Sequence, residues 1–283
     1  MFAVLRIEKG QNSGLLSRAV HRIKRRKLTA QPIDTPLGGY LLLTAYSERI
    51  NWDKVEAVCG RAAHALVLPP GLEPPEGGLA ARFEPDALRA QLICNACLEI
   101  IRRCQVPLYR KVVTLVDRQA HFTDLIPDLL CQCITVRVVT EREGEYRRVS
   151  ERMMEELGAS LLVSNHMEGV GGSLLVLCPD GDGAERLATT VPVLTGGCID
   201  RPSPCRLVGD PRIKPAKELA GIVPEGIDPL DFAGAFYQLG RWKAAEQLRV
   251  DALRCKGNLL KPGDIARFIE QSNPQRAAVL PIK

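Results

Sequence analysis

Two loops of this chain carry side chains able to do chemistry. One is Asn165-His166-Met167-Glu168-Gly169-Val170-Gly171-Gly172, which combines an imidazole, a carboxylate and glycines. His166 is suited to act as acid or base near neutral pH, with Glu168 two residues on. Gly169, Gly171 and Gly172 suit a close backbone approach to a ligand, and equally suit a plain turn. The other loop is Asp117-Arg118-Gln119-Ala120-His121-Phe122. Arg118 and His121 are suited to contact an anion there, at the start of an expected helix. This second loop contains no glycine, and Asp117 would repel a phosphate.

Other groupings point to structure rather than chemistry. Cys94-Asn95-Ala96-Cys97, with Cys104 beyond, lacks the second Cys or His pair that a tetrahedral metal site needs. Positions 90, 94, 97, 101 and 104 fall on one helical stripe, so these thiols are expected to pack in a core. Asp180-Gly181-Asp182-Gly183 resembles the start of a calcium loop, but Val191 stands where the closing glutamate belongs, so a turn is expected. With four histidines, at 21, 64, 121 and 166, a multi-histidine metal centre has little material, and no metal ligands are assigned. The sequence contains no P-loop, HExxH, GxSxG or kinase motif set.

These residues need elements to hold them. Val112–Val116 reads as a buried strand, followed by a helix over 120–131 and a strand over 134–139. A helix over 145–157 and a strand over 160–164 follow, with Gly158 as the helix stop. Further strands are expected at 174–177 and 191–194. A helix beginning at Pro85 precedes this run. Strands alternating with helical connections imply a mostly parallel sheet covered on both faces. Residues 1–80 read as a small α/β domain with strands at 2–7, 40–46 and 65–68 and a helix over 52–65. The proline- and glycine-rich stretch 69–78 closes that domain. Residues 81–205 form the central domain. Residues 206–283 read as mainly helical, with helices over 229–239, 242–254 and 265–271, and Asp228-Pro229 starting the first.

The unit from Val112 to Arg142 resembles the cofactor domains of shikimate dehydrogenase and glutamyl-tRNA reductase. Strand, turn, helix, second strand and a basic residue come in the order of a Rossmann unit, and the likeness extends over about 85 residues as topology. In those families an arginine after the second strand meets an NADP phosphate. Here that segment is Thr140-Glu141-Arg142, so the resemblance implies NADP as the cofactor and Arg142 as its phosphate contact, while Arg118 and His121 by their place after the first strand, and Gly169, Gly171 and Gly172 by their place after the third, are the further residues expected to contact it. The turn departs from the pattern, because a dinucleotide fold needs glycine where this chain has Asp117 to Phe122.

Composition narrows the function. The net charge is +5, and the five Lys and Arg of His21-Arg22-Ile23-Lys24-Arg25-Arg26-Lys27 account for all of it. A broad nucleic-acid surface is therefore not expected. The run itself reads as a solvated face or as an anion-binding segment, and no aromatic residue is interleaved for base stacking. No apolar run is long enough to cross a membrane, and the first residues do not read as a signal peptide, so a cytoplasmic protein is expected. The fold expectation is α/β: a Rossmann-like, mostly parallel sheet with a small N-terminal α/β domain and a helical C-terminal segment. The functional expectation is binding of a small-molecule ligand or a protein partner without dehydrogenase activity. The alternatives are an NAD(P)-dependent oxidoreductase with an atypical loop and, third, nucleic-acid binding through 21–27.

Overall fold

The computed structural model describes residues 2–8, 28–47, 49–167, 170–197, 199, 203–214, 217–240 and 242–272. The basic run at 21–27 and the tail beyond 272 lie outside them. The chain divides into two compact units, Met1–Leu88 with Pro215–Glu246, and Arg89–Lys214 with Gln247–Lys283.

The first unit holds β1 (Phe2–Ile7), β2 (Leu28–Thr35), β3 (Gly38–Ala45) and β4 (Leu66–Val67), in the sheet order β2-β3-β1-β4. β1 runs parallel to both β3 and β4, and β2 is antiparallel to β3. β2 escapes sequence reading because an edge strand with Pro32 and mostly exposed side chains shows no apolar pattern. α1 (Trp52–Cys59) starts at Asn51, whose side chain accepts the Lys54 N–H at 3.0 Å. α5 (Pro229–Gln238) starts at Asp228, which accepts from the Leu230 N–H at 2.8 Å, with Pro229 in the first turn. Phe232 and Phe236 of α5 meet Phe2 and Tyr40 edge to face, with ring centroids 4.9 to 6.2 Å apart.

The second unit holds one eight-stranded sheet. Its strands are β5 (Val112–Val116), β6 (Thr135–Val139), β7 (Leu161–Ser164), β8 (Leu175–Cys178), β9 (Pro192–Thr195), β10 (Arg206–Ile213), β11 (Val250–Cys255) and β12 (Asn258–Leu260). The order is β12-β11-β10-β9-β8-β5-β6-β7, and all pairs from β10 to β7 are parallel. The parallel strands thus have the doubly wound order, with the strand succession reversing direction between β5 and β8. The expected Rossmann-like α/β architecture is present, and the two units form separate sheets.

Both faces of the parallel sheet are buried. Val113, Leu115, Val136, Val138, Leu175 and Leu177 line one face. The alternate residues Val116, Val139, Val176, Cys178, Val193 and Leu207 form a second core on the other. α2 (Asp86–Arg103) buries Cys94 and Cys97 among Leu92, Ile93, Ile100 and Ile101, as its stripe predicts. α4 (Glu143–Leu157) buries Tyr146, Val149 and Met153 and ends at Gly158 in the left-handed conformation (φ 64°).

Two expectations need correction. The helix expected over 120–131 is a 3-10 turn, Thr123–Leu125, followed by the five-residue α3 (Ile126–Leu130). Ala120 at φ 61° and the Asp117 side chain hold the preceding turn out of helix. The helix expected over 242–254 is a 3-10 turn, Lys243–Gln247, followed by β11. The Lys256-Gly257 turn, with both φ positive at 48° and 81°, suits a two-residue hairpin. That turn pairs β11 with β12, while Arg254 reaches Asp210 of β10 with Nε at 2.8 Å. α6 (Pro262–Ser272) then follows, so the C-terminal segment, expected to be mainly helical, carries two of its three expected helices, α5 and α6, together with the strands β10, β11 and β12. No helix among the described residues is long and apolar enough to cross a membrane.

Candidate functional site

Asp117 follows β5 directly, and Asp180 follows β8 by two residues. Because β5 and β8 are adjacent and parallel, both aspartates sit at the same edge of the sheet, at the point where the strand order reverses. In open α/β sheets that crevice is where ligands bind.

Asp117 is 2% exposed. Its Oδ1 accepts the His121 N–H at 3.0 Å, and its Oδ2 accepts the Phe122 N–H at 2.8 Å and the Tyr146 hydroxyl of α4 at 2.5 Å. The backbone N–H of Asp117 donates to the Val139 carbonyl at 3.0 Å, tying the turn to the end of β6. Burial, and then the hydrogen bond to Asp117, push the Tyr146 phenol far above its ordinary value, so it stays a donor. The amides of this turn are the donors that a glycine-rich loop presents to a phosphate. Here the chain's own carboxylate takes them.

Next to this buried group lies an exposed pair. His121 Nδ1 is 3.2 Å from Asp180 Oδ2. Burial raises the Asp180 carboxyl above its usual range, and His121 opposes that rise. Asp117, His121 and Asp180 each bring one ligating atom to within 4.8 Å of the others. The arrangement can exchange a proton through the imidazole, or hold a cation among the three.

The other residues singled out in the sequence fall into separate places. Arg118 pairs with Glu141, Nε to Oε1 at 2.9 Å, across the ends of β5 and β6. Arg142 stands at the start of α4, where its N–H donates to Thr140 Oγ1 at 3.0 Å. It borders an open cleft of about 580 Å³ together with Glu141, Glu143, Glu145 and Asn165. His166 is exposed, just past β7, with its N–H donating to Ser164 Oγ at 3.0 Å. It lines a different pocket, of about 370 Å³, with Thr114, Arg137, Leu162 and Val170. Gly171 and Gly172 belong to the 3-10 turn Val170–Gly172. A Cβ on Gly172 would come within 3.3 Å of Arg137 Nη1, which places that guanidinium against the turn. Ser173 and Thr114 hydroxyls, 2.6 Å apart, fasten that turn to β5. Glu168 and Gly169 lie outside the described residues.

The structure therefore groups His121 with Asp117 and Asp180, His166 and Gly172 with Arg137, and Arg142 with three glutamates. Sequence reasoning missed Tyr146 and Arg137, read Asp180 as part of a turn after setting aside a calcium loop, and took Asp117 only as a repulsive group. The available signal was an aspartate at or just after the end of each of two apolar strand runs, and its meaning depends on which strands are neighbours. The cysteines keep their structural reading. Burial pushes the Cys94 and Cys97 thiols up, and Cys133 to about 12, so these thiols stay protonated.

No protein-family model and no curated protein matches this sequence.

Proposed function

We propose that this chain is a Rossmann-like protein that binds a small polar ligand at the carboxyl ends of β5 and β8, without dehydrogenase chemistry. One observation carries this reading: the Asp117 carboxylate occupies the turn amides that would otherwise hold a pyrophosphate. His121 and Asp180 face outward beside that carboxylate, and they are the ligand's contacts. All nine described cysteines are free thiols, which suits the reducing cytoplasm.

A second reading rests on the open cleft at Arg142. An NADP-dependent oxidoreductase would use that arginine for the ribose phosphate. Glu141, Glu143 and Glu145 around the same cleft oppose the charge such a phosphate brings.

Thermal unfolding of the full chain against NAD, NADP, ATP and S-adenosylmethionine separates the two. A ligand specific for the native state adds about 2.7 kcal/mol at 100 times its dissociation constant. A shift that Asp180→Asn abolishes and Arg142→Ala preserves supports the proposal. A shift with NADP that Arg142→Ala abolishes supports the oxidoreductase, and no shift with any compound counts against a nucleotide-sized ligand.

A further inference from the structure

The cluster at the ends of β5 and β8 differs from a patch of surface acids in three respects. Its ligating atoms are of mixed kind, two carboxylate oxygens and an imidazole nitrogen of His121, all within 4.8 Å of one another. Bonds of about 2.1 Å to a metal place adjacent ligand atoms about 3 Å apart and opposite ones just over 4 Å apart. His121 Nδ1 and Asp180 Oδ2, 3.2 Å apart, already have the spacing of adjacent ligands, and both side chains are exposed and free to rotate toward an ion held by Asp117.

Second, the carboxylates are carried by rigid neighbours. β5 and β8 pair in register from Val113 opposite Leu175 to Leu115 opposite Leu177, which sets the spacing of the two strand ends. Asp117 is locked further by two amides and Tyr146. Its Oδ1 accepts one described hydrogen bond, and a carboxylate oxygen has lone-pair capacity for a second partner. One buried ligand fixed by its own hydrogen bonds, as Asp117 is, anchors the coordination geometry for the two exposed ones.

Third, the surrounding charge favours a cation. Asp182 adds a further carboxylate near Asp180, and Arg118 is engaged by Glu141. The same turn that rejects a phosphate, because Asp117 fills it, offers a carboxylate edge to a positive ion.

We propose that Asp117, His121 and Asp180 bind one divalent first-row transition-metal ion at the reversal point of the sheet. This inference rests on the ligand-site reading above and names what completes that site. Imidazole with carboxylate oxygens suits Mn2+, Zn2+ and their neighbours, whereas Mg2+ and Ca2+ favour all-oxygen sets. Three protein ligands leave coordination positions open, and the small ligand would bind there through its own oxygen atoms.

Mn2+ is the probe of choice, since thiols compete for Zn2+ and Cys131 is exposed. The full chain, stripped with chelator, is titrated with Mn2+ and the free ion is followed by its electron paramagnetic resonance signal. One Mn2+ per chain is expected, at least tenfold tighter than Mg2+ or Ca2+ in competition. His121→Ala and Asp180→Asn, both at exposed side chains, should each weaken Mn2+ by tenfold or more while circular dichroism stays unchanged. Absence of binding below about 1 mM overturns the inference. So does binding that neither variant alters, which would place the ion elsewhere. Should Mn2+ fail while an organic ligand still gives a midpoint shift that depends on Asp180, the metal inference falls and the ligand site stands. Should Mn2+ bind as expected while no organic ligand does, the metal inference stands and the ligand reading falls.

Discussion

The ends of β5 and β6 lie side by side on one edge of the same sheet, and they treat charge differently. After β5, the amides of a tight turn are satisfied by Asp117, a buried carboxylate with Tyr146 also bound to it. After β6, the N-terminus of the 15-residue α4 opens on a cleft, its cap residue Arg142 makes no capping side-chain bond, and Glu143 and Glu145 stand in its first turn. At both places the positive end that doubly wound folds offer to a phosphate is met by the chain's own carboxylates. At β5 they are fixed by geometry, and at β6 Glu145 is exposed and Glu143 half-buried, both within reach of water. The β5 end is therefore committed to a structure, and the β6 end only to a charge.

The largest effect should come from the strand that both regions share. Val113 is fully buried within β5, so Val113→Asp buries an unpaired charge and should cost several kcal/mol, or about enough to unfold the unit. Unchanged circular dichroism and an unchanged denaturation midpoint would contradict the placement of β5. Next comes the comparison itself. Asp117→Ala leaves two amides and a phenol unpaired, and at about 1 to 3 kcal/mol each should cost about 3 kcal/mol or more. Glu145→Ala, an exposed residue in the first turn of α4, should stay within about 0.5 kcal/mol. Equal losses in urea denaturation would erase the distinction between the two ends. Tyr146→Phe should lie between them at about 1.5 kcal/mol, since it removes one hydrogen bond to a charged acceptor.

The smallest effect is a dependence on pH. The Asp180 carboxyl is raised above its ordinary 3.8, mainly by burial. In the metal-free folded state it therefore holds its proton more tightly than in the unfolded chain. Stability from this group is present at acid pH and lost as pH rises through the raised value. Asp180→Asn, measured with chelator, should gain stability relative to the parent as pH goes from about 3 to 7. A relative loss over that interval would mean that His121 outweighs burial.

Much of the fold was legible from local pattern. Val112–Val116, the Gly158 helix stop and the Asp228 cap carry their signals within a few residues. β2 and β11 were not legible, because an edge strand lacks alternation and because the residues of β11 also fit helical spacing. The site was half legible. His121 and Arg118 stood out by type and by position after β5. Asp180 lies fifty-nine residues from His121 and joins it only through the neighbouring of β5 and β8, which no local pattern encodes.

Amide hydrogen exchange at His121 and Phe122, followed by nuclear magnetic resonance, tests most directly whether the turn after β5 is filled by the chain itself. Both amides should be protected relative to the exposed Gly144 amide, and both should lose that protection in Asp117→Ala. Exchange as fast as that of Gly144 in the parent protein would show the donors free for a phosphate, and would return the chain to the dinucleotide-binding reading.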